Sequence, residues 1–124
     1  MNLEAFAESI AITVCDGENF TASLSLPGEL AVFEGHFPGN PILPGVAYIF
    51  IAEKLAGRFV GEDLMLKELK KTKFFAPTLP RTHLEAAGSV KKDAANEKLL
   101  HLQITFSDDE KRRISIVKMI MEKR

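Results

Sequence analysis

A chain of 124 residues, 46% of them apolar, has the size of one ordinary domain and enough apolar content to bury a core. Its 27% charged residues divide into 16 basic and 17 acidic, and the resulting net charge of −1 gives no pull toward nucleic acid or an anionic membrane as partner. Cys15 is the one cysteine, which excludes an internal disulfide and a cysteine-rich zinc site and points to a reducing, cytoplasmic setting.

The first residues, "MNLEAFAESIAI", carry early acids and no basic stretch, so no secretory signal is expected. No apolar run approaches the ~18–20 residues of a membrane span. Residues 2–8 read as a short helix capped by Asn2. "SIAITVC" and "NFTASLSL" read as strands, joined into a hairpin by "DGEN". In the second of them Phe20, Ala22, Leu24 and Leu26 share one face. "PGEL" ends that strand, and "AVF" is a short strand leading into the loop "EGHFPGNPILPG". A helix is predicted from Gly45 to about Phe59, with Gly57 or Gly61 as its stop. Residues 46–52 are apolar without interruption, so that helix should be buried on most sides.

Strands follow at roughly 64–76, 82–92, 98–107 and 112–122, with "KKDAANEK" as a hairpin connection. Leu100, Leu102, Ile104 and Phe106 alternate with His101, Gln103 and Thr105, which predicts one buried face. In the last strand Ile114, Ile116 and Ile120 occupy one face and Val117, Met119 and Met121 the other, the mark of an internal strand or one near a subunit contact. The whole predicts one α+β domain over residues 1–124, an antiparallel sheet wrapped around one long central helix. A second subunit is expected to complete the burial of that helix.

The loop before the helix is stiff. Pro38, Pro41 and Pro44 each fix φ and restrict the residue before them, while Gly35, Gly39 and Gly45 permit tight turns. His36 therefore sits on a rigid mount. Pro44-Gly45 opens the helix, where the first amides lack intrahelical acceptors and the dipole end is positive. An imidazole with an ordinary pKa of ~6.5 beside such donors suits proton abstraction alpha to a carbonyl. Taken by itself, a histidine in a Pro/Gly loop is also a common turn or packing residue, and that role stands beside the catalytic one.

"GHFPGNPILPGV" resembles the signature of the FabA/FabZ-type 3-hydroxyacyl-thioester dehydratases, which have the hotdog fold. "KKTKFFAPTLP" resembles the segment in which that family carries a Lys-Phe strand entering a Pro-containing turn. The resemblance covers residues 33–57 and 70–80. The N-terminus looks shorter than in the fatty-acid-synthesis members and lacks their "PHR" stretch, which brings the chain nearer to the small dehydratase-like proteins of specialised lipid or polyene pathways. The resemblance implies dehydration of (3R)-3-hydroxyacyl groups on acyl carrier protein or CoA, giving trans-2-enoyl thioesters in fatty-acid or related lipid and polyketide synthesis. It implies no cofactor and no metal. His36 would take the alpha proton, and the amide of Gly45 would hold the thioester carbonyl. A helix carboxylate from the other subunit of a homodimer, or of a higher even oligomer, would serve the departing hydroxyl. Phe37, Pro44 and Phe50 would contact substrate in a tunnel along the subunit interface.

The family's carboxylate lies fourteen residues after the histidine (36 + 14 = 50), and that position is Phe50. Three readings follow. Glu53, about 60° around and ~4.5 Å along the helix from position 50, takes over as the acid; the alternative for it is a solvated helix-end residue paired with Lys54 or Lys67. Water or Tyr48 handles the hydroxyl, although Tyr48 is expected to pack. Or the chain binds an acyl thioester without turnover, or hydrolyses one poorly.

Other features have bland counterparts too. Lys67, Lys70, Lys71 and Lys73 form a basic cluster in which Lys67, Lys71 and Lys73 share strand parity. Such a cluster steers an acidic carrier protein, or is a solvated edge that discourages strand pairing. Nucleic-acid binding would ask for interleaved aromatics, and only Phe74 and Phe75 follow the cluster. His83 and His101 are too isolated to suggest a metal site, and Cys15, with no base nearby, reads as a buried or inert thiol.

Overall fold

The computed structural model describes residues 11–25, 45–78 and 83–124. The expected helix at residues 2–8, the "PGEL" and "AVF" segments, and the loop carrying His36, Phe37 and Pro44 lie outside the described residues. The elements are β1 (Ala11–Asp16), β2 (Asn19–Ser25), α1 (Gly45–Val60), β3 (Leu64–Phe74), β4 (His83–Lys92), β5 (Leu99–Asp108) and β6 (Arg113–Lys123). The six strands form one antiparallel sheet in the order β1-β2-β4-β5-β6-β3. This is the α+β hotdog architecture, with α1 packed on one face of the sheet.

Two glycines set the ends of elements. Asp16 pairs with Asn19 across a two-residue loop, and Gly17 takes a φ of 61°, the left-handed value that tight hairpin turns demand. At the far end of α1, Gly61 has a φ of 77° and its amide donates to the Gly57 carbonyl at 2.8 Å, so Gly61 is the helix stop.

Period-2 patterning becomes the core directly. Phe20, Ala22 and Leu24 of β2, and Leu100, Leu102, Ile104 and Phe106 of β5, are all buried, facing Ile51, Leu55 and Ala56 of α1. β6 is internal, between β5 and β3, as its two apolar faces require, and Val117, Met119 and Met121 are its core side. Phe20 stands opposite Gly88 of β4, and a Cβ added there would lie 2.6 Å from its ring Cζ. The ring occupies the space that a side chain at position 88 would need, then packs on Phe59 at 4.8 Å between centroids.

Val46 of the helix is 55% exposed and Ile49 and Phe50 are half-buried, which leaves apolar helix surface for the second subunit that was expected to complete its burial. Two expectations need correction. The shared parity of Lys67, Lys71 and Lys73 does not survive, because the β3–β6 register shifts between Leu66 and Glu68 and again between Leu69 and Lys71. Each bulge inserts one residue and resets the alternation, leaving Lys71 and Lys73 on one face and Lys67 at a bulge. Cys15 is exposed rather than buried, on an edge strand.

Candidate active site

The start of α1 is built for close approach. Gly45 is its first residue, and no acidic residue sits in the first turn to neutralise the positive end of the helix. A Cβ at Gly45 would fall 2.9 Å from Cζ and 3.2 Å from Cε2 of Phe74, the last residue of β3. A side chain at position 45 would therefore have to push the Phe74 ring aside, as well as crowd any ligand that uses the helix amides. This contact joins the two stretches that carry the family resemblance, which residues 58–69 separate in sequence.

One turn on, Tyr48 anchors the same corner. Its ring packs on Phe74 and Phe106, at 5.6 and 5.5 Å between centroids. Its hydroxyl shares a hydrogen bond with Thr78, and both side chains are buried. Burial pushes the Tyr48 phenol up, with the Thr78 hydrogen bond acting in the opposite direction. The hydroxyl therefore stays protonated and engaged with Thr78, and Tyr48 packs as its apolar setting foretold. Phe74 and Phe106, the two rings that Tyr48 packs on, flank Ser115 across the sheet, and its buried Oγ has no partner among the described residues.

Phe50 is half-buried on α1, with the Lys54 ammonium 5.2 Å from its ring centroid. Glu53 lies further along, about 12 Å from Gly45 by helical rise. It opens on a charged cleft of about 190 Å³ lined by Lys54, Gly57, Arg58, Glu62, Asp63 and Leu64. Burial raises the Glu53 carboxyl above the ordinary carboxylate range, while the positive charges of Lys54 and Arg124 act to lower it. Lys67 takes Glu122 instead, at 4.0 Å.

The remaining candidates are scattered. His83 Nδ1 lies 3.3 Å from Ser25 Oγ, and His101 Nε2 lies 2.7 Å from Asp93 Oδ1. Among the described residues no group of three His, Cys, Asp or Glu could hold a metal ion. None of the described helices is long and apolar enough to cross a membrane. Sequence reasoning missed Thr78 and Ser115. Neither carries a sequence signal, since each matters only through what folds against it.

Comparison with known proteins gives a consistent pattern. An ApeI-like family model, described as ApeI dehydratase, matches residues 12–115. The 3-hydroxyacyl-[acyl-carrier-protein] dehydratase FabZ of Enterococcus faecalis is 43% identical over 63 residues, covering 50% of this chain and 43% of that protein. The FabZ of Lactiplantibacillus plantarum is 27% identical over 99 residues, covering 74% of this chain and 67% of that one. The match with the Enterococcus protein thus spans less than half of that relative's length. Among solved structures, the dehydratase heterocomplex ApeI:P from Xenorhabdus doucetiae aligns with a TM-score of 0.72 at 24% identity, covering 91% of this chain and 95% of that one. A hypothetical thioesterase from Streptococcus pneumoniae TIGR4, solved with coenzyme A, aligns with a TM-score of 0.74 at 9% identity, covering 97% and 89%. At these identities both structures speak for the fold alone.

Proposed function

Because the chain belongs to the ApeI-like dehydratase family, we propose that it removes water from (3R)-3-hydroxyacyl thioesters to give trans-2-enoyl thioesters. The match over residues 12–115 carries the reading, since it takes in the His36 loop and the whole of α1. His36 takes the alpha proton, and the Gly45 amide holds the thioester oxygen as negative charge gathers there. The C–O bond to the 3-hydroxyl then breaks, and the hydroxyl leaves as water after taking a proton from Glu53. A carboxyl raised by burial is suited to that donation. Phe37, Pro44 and Phe50 line the acyl path. The carrier is acyl carrier protein, by analogy with the FabZ relatives, or CoA, and the setting is cytoplasmic lipid or polyketide synthesis.

The working unit is a homodimer or a higher even oligomer. β3 is an edge strand with Leu69 and Phe74 substantially exposed, and Val46 is exposed on the helix. A partner covering these would complete the burial of α1. Sedimentation equilibrium that reads a monomer at micromolar concentration would remove this part.

Phe50 favours a second reading, an acyl-thioester-binding module that turns over weakly or not at all, or a slow thioesterase. In its strongest form another subunit supplies the missing carboxylate, as a heterocomplex would permit. Incubation with 3-hydroxyacyl thioesters, followed by enoyl absorbance, separates the two. Dehydration should fall by roughly 10²-fold or more in His36→Ala. Turnover that His36→Ala leaves untouched overturns the dehydratase reading, and saturable binding without turnover in the unmodified chain favours the module.

A further inference from the structure

The face of the sheet turned away from α1 carries a second concavity. A cavity of about 380 Å³ is lined by Lys70, Ser89, Lys91, His101, Gln103 and Lys118, with Leu102 and Met119 at its floor. Leu102 and Met119 have buried side chains in the core, so they present backbone to this cavity while their strand neighbours point outward. Two adjacent cross-strand rows build it. In one, Ser89 pairs with Gln103, Gln103 with Lys118, and Lys118 with Lys71; in the next, Lys91 pairs with His101.

The charge pattern is one-sided. The sequence holds 17 acids to 16 bases, yet no carboxylate lines this cavity. Glu68 lies 3.4 Å from Lys70 and Asp93 holds His101 at 2.7 Å, whereas Lys91 and Lys118 form no ion pair among the described residues. Lys118 and Lys71 stand directly opposite each other, an arrangement of like charges that destabilises an antiparallel pair. Lys118 is also half-buried.

We propose that this face binds a small phosphorylated metabolite. Its phosphate lies between the Lys91 and Lys118 ammonium groups, with the Ser89 hydroxyl and the Gln103 amide donating to it. A dianion matches two free ammonium groups and two neutral donors better than a single carboxylate does. The cavity has room for an organic group beside the phosphate. The site is on the opposite face from α1 and is independent of the dehydration proposed above.

The test uses the full chain and sodium pyrophosphate, compared with sodium chloride at equal ionic strength. Pyrophosphate should raise the melting temperature by about 5 °C at roughly tenfold excess over its dissociation constant. Lys118→Gln should melt higher than the unmodified chain without ligand, and its pyrophosphate affinity by calorimetry should fall at least about tenfold. Lys91→Gln should lose affinity similarly, while Lys98→Gln, a charge-matched change outside the cavity, should keep it. A rise equalled by chloride, equal affinity in Lys118→Gln and the unmodified chain, or binding of polyglutamate without pyrophosphate would each overturn the proposal.

Discussion

Replacing Tyr48 by Phe removes one oxygen and leaves the ring contacts to Phe74 and Phe106 intact. Thr78, which is 0% exposed, then holds a hydroxyl that has lost its side-chain partner among the described residues. A buried polar group stranded in this way costs about 1–3 kcal/mol. Thr78→Val should cost a similar amount by stranding the Tyr48 hydroxyl instead. The double variant removes both groups and leaves two apolar side chains of nearly the same shape, so it should lie close to the unmodified chain. The coupling between the sites, the double-variant loss less the two single losses, is therefore expected at about 2–6 kcal/mol in magnitude. For a chain of this length each 1 kcal/mol corresponds to roughly 4 °C of melting temperature. Urea unfolding of the four proteins of the cycle measures it. Additive losses, or a single-variant loss below about 0.5 kcal/mol, would show that the pair does not hold the helix start to the segment after β3.

Three further outcomes follow from the packing and the charges. Gly88→Ala should cost about 1–3 kcal/mol, since the new Cβ would meet Phe20 at 2.6 Å and Ile104 at 3.0 Å; Phe20→Leu in the same chain should recover part of the loss in a denaturation assay. Burial raises the Glu53 carboxyl, so the folded chain keeps that proton to higher pH than the unfolded chain does, and the associated stability is present below the ordinary glutamate pKa and lost as pH rises through the folded one. Glu53→Gln should accordingly melt higher at about pH 7 and lose that advantage at about pH 4, and an equal gain at both would refute the assignment. Phe50→Glu places a carboxylate four residues before Lys54, a favourable helical pair, and should raise enoyl formation by roughly 10²-fold; no change in rate would mean that position 50 does not face the reacting hydroxyl.

Much of the architecture was legible because it rests on local period and on turn chemistry. α1 begins at Gly45 as expected and runs to Val60, one residue past the expected end, and β5 buries the alternating set Leu100, Leu102, Ile104 and Phe106. Period counting failed along β3 because a bulge leaves no mark in composition. Leu66 and Leu69 both pair with core methionines of β6, Met121 and Met119, though their numbers differ in parity. The site was legible in part. The contact of Gly45 with Phe74 joins two segments that the family resemblance had picked out separately, but Thr78 became visible only through Tyr48. The reach of Glu53 depends on how a partner subunit sits, which a single chain does not encode locally.

The strand order has a consequence for biosynthesis. β3 is made directly after α1, yet among the described strands its one neighbour in the sheet is β6, the last of them to leave the ribosome. Until β6 arrives, the backbone of β3 has no ladder, and Leu69 and Phe74 are presented on an unprotected strand. Docking of β6 then closes both its sides in one step, joining β3 to β5. Deleting β6 would split the described sheet into a four-stranded remnant and an orphan strand, and it should be read out as aggregation during synthesis rather than as a folded chain of altered properties.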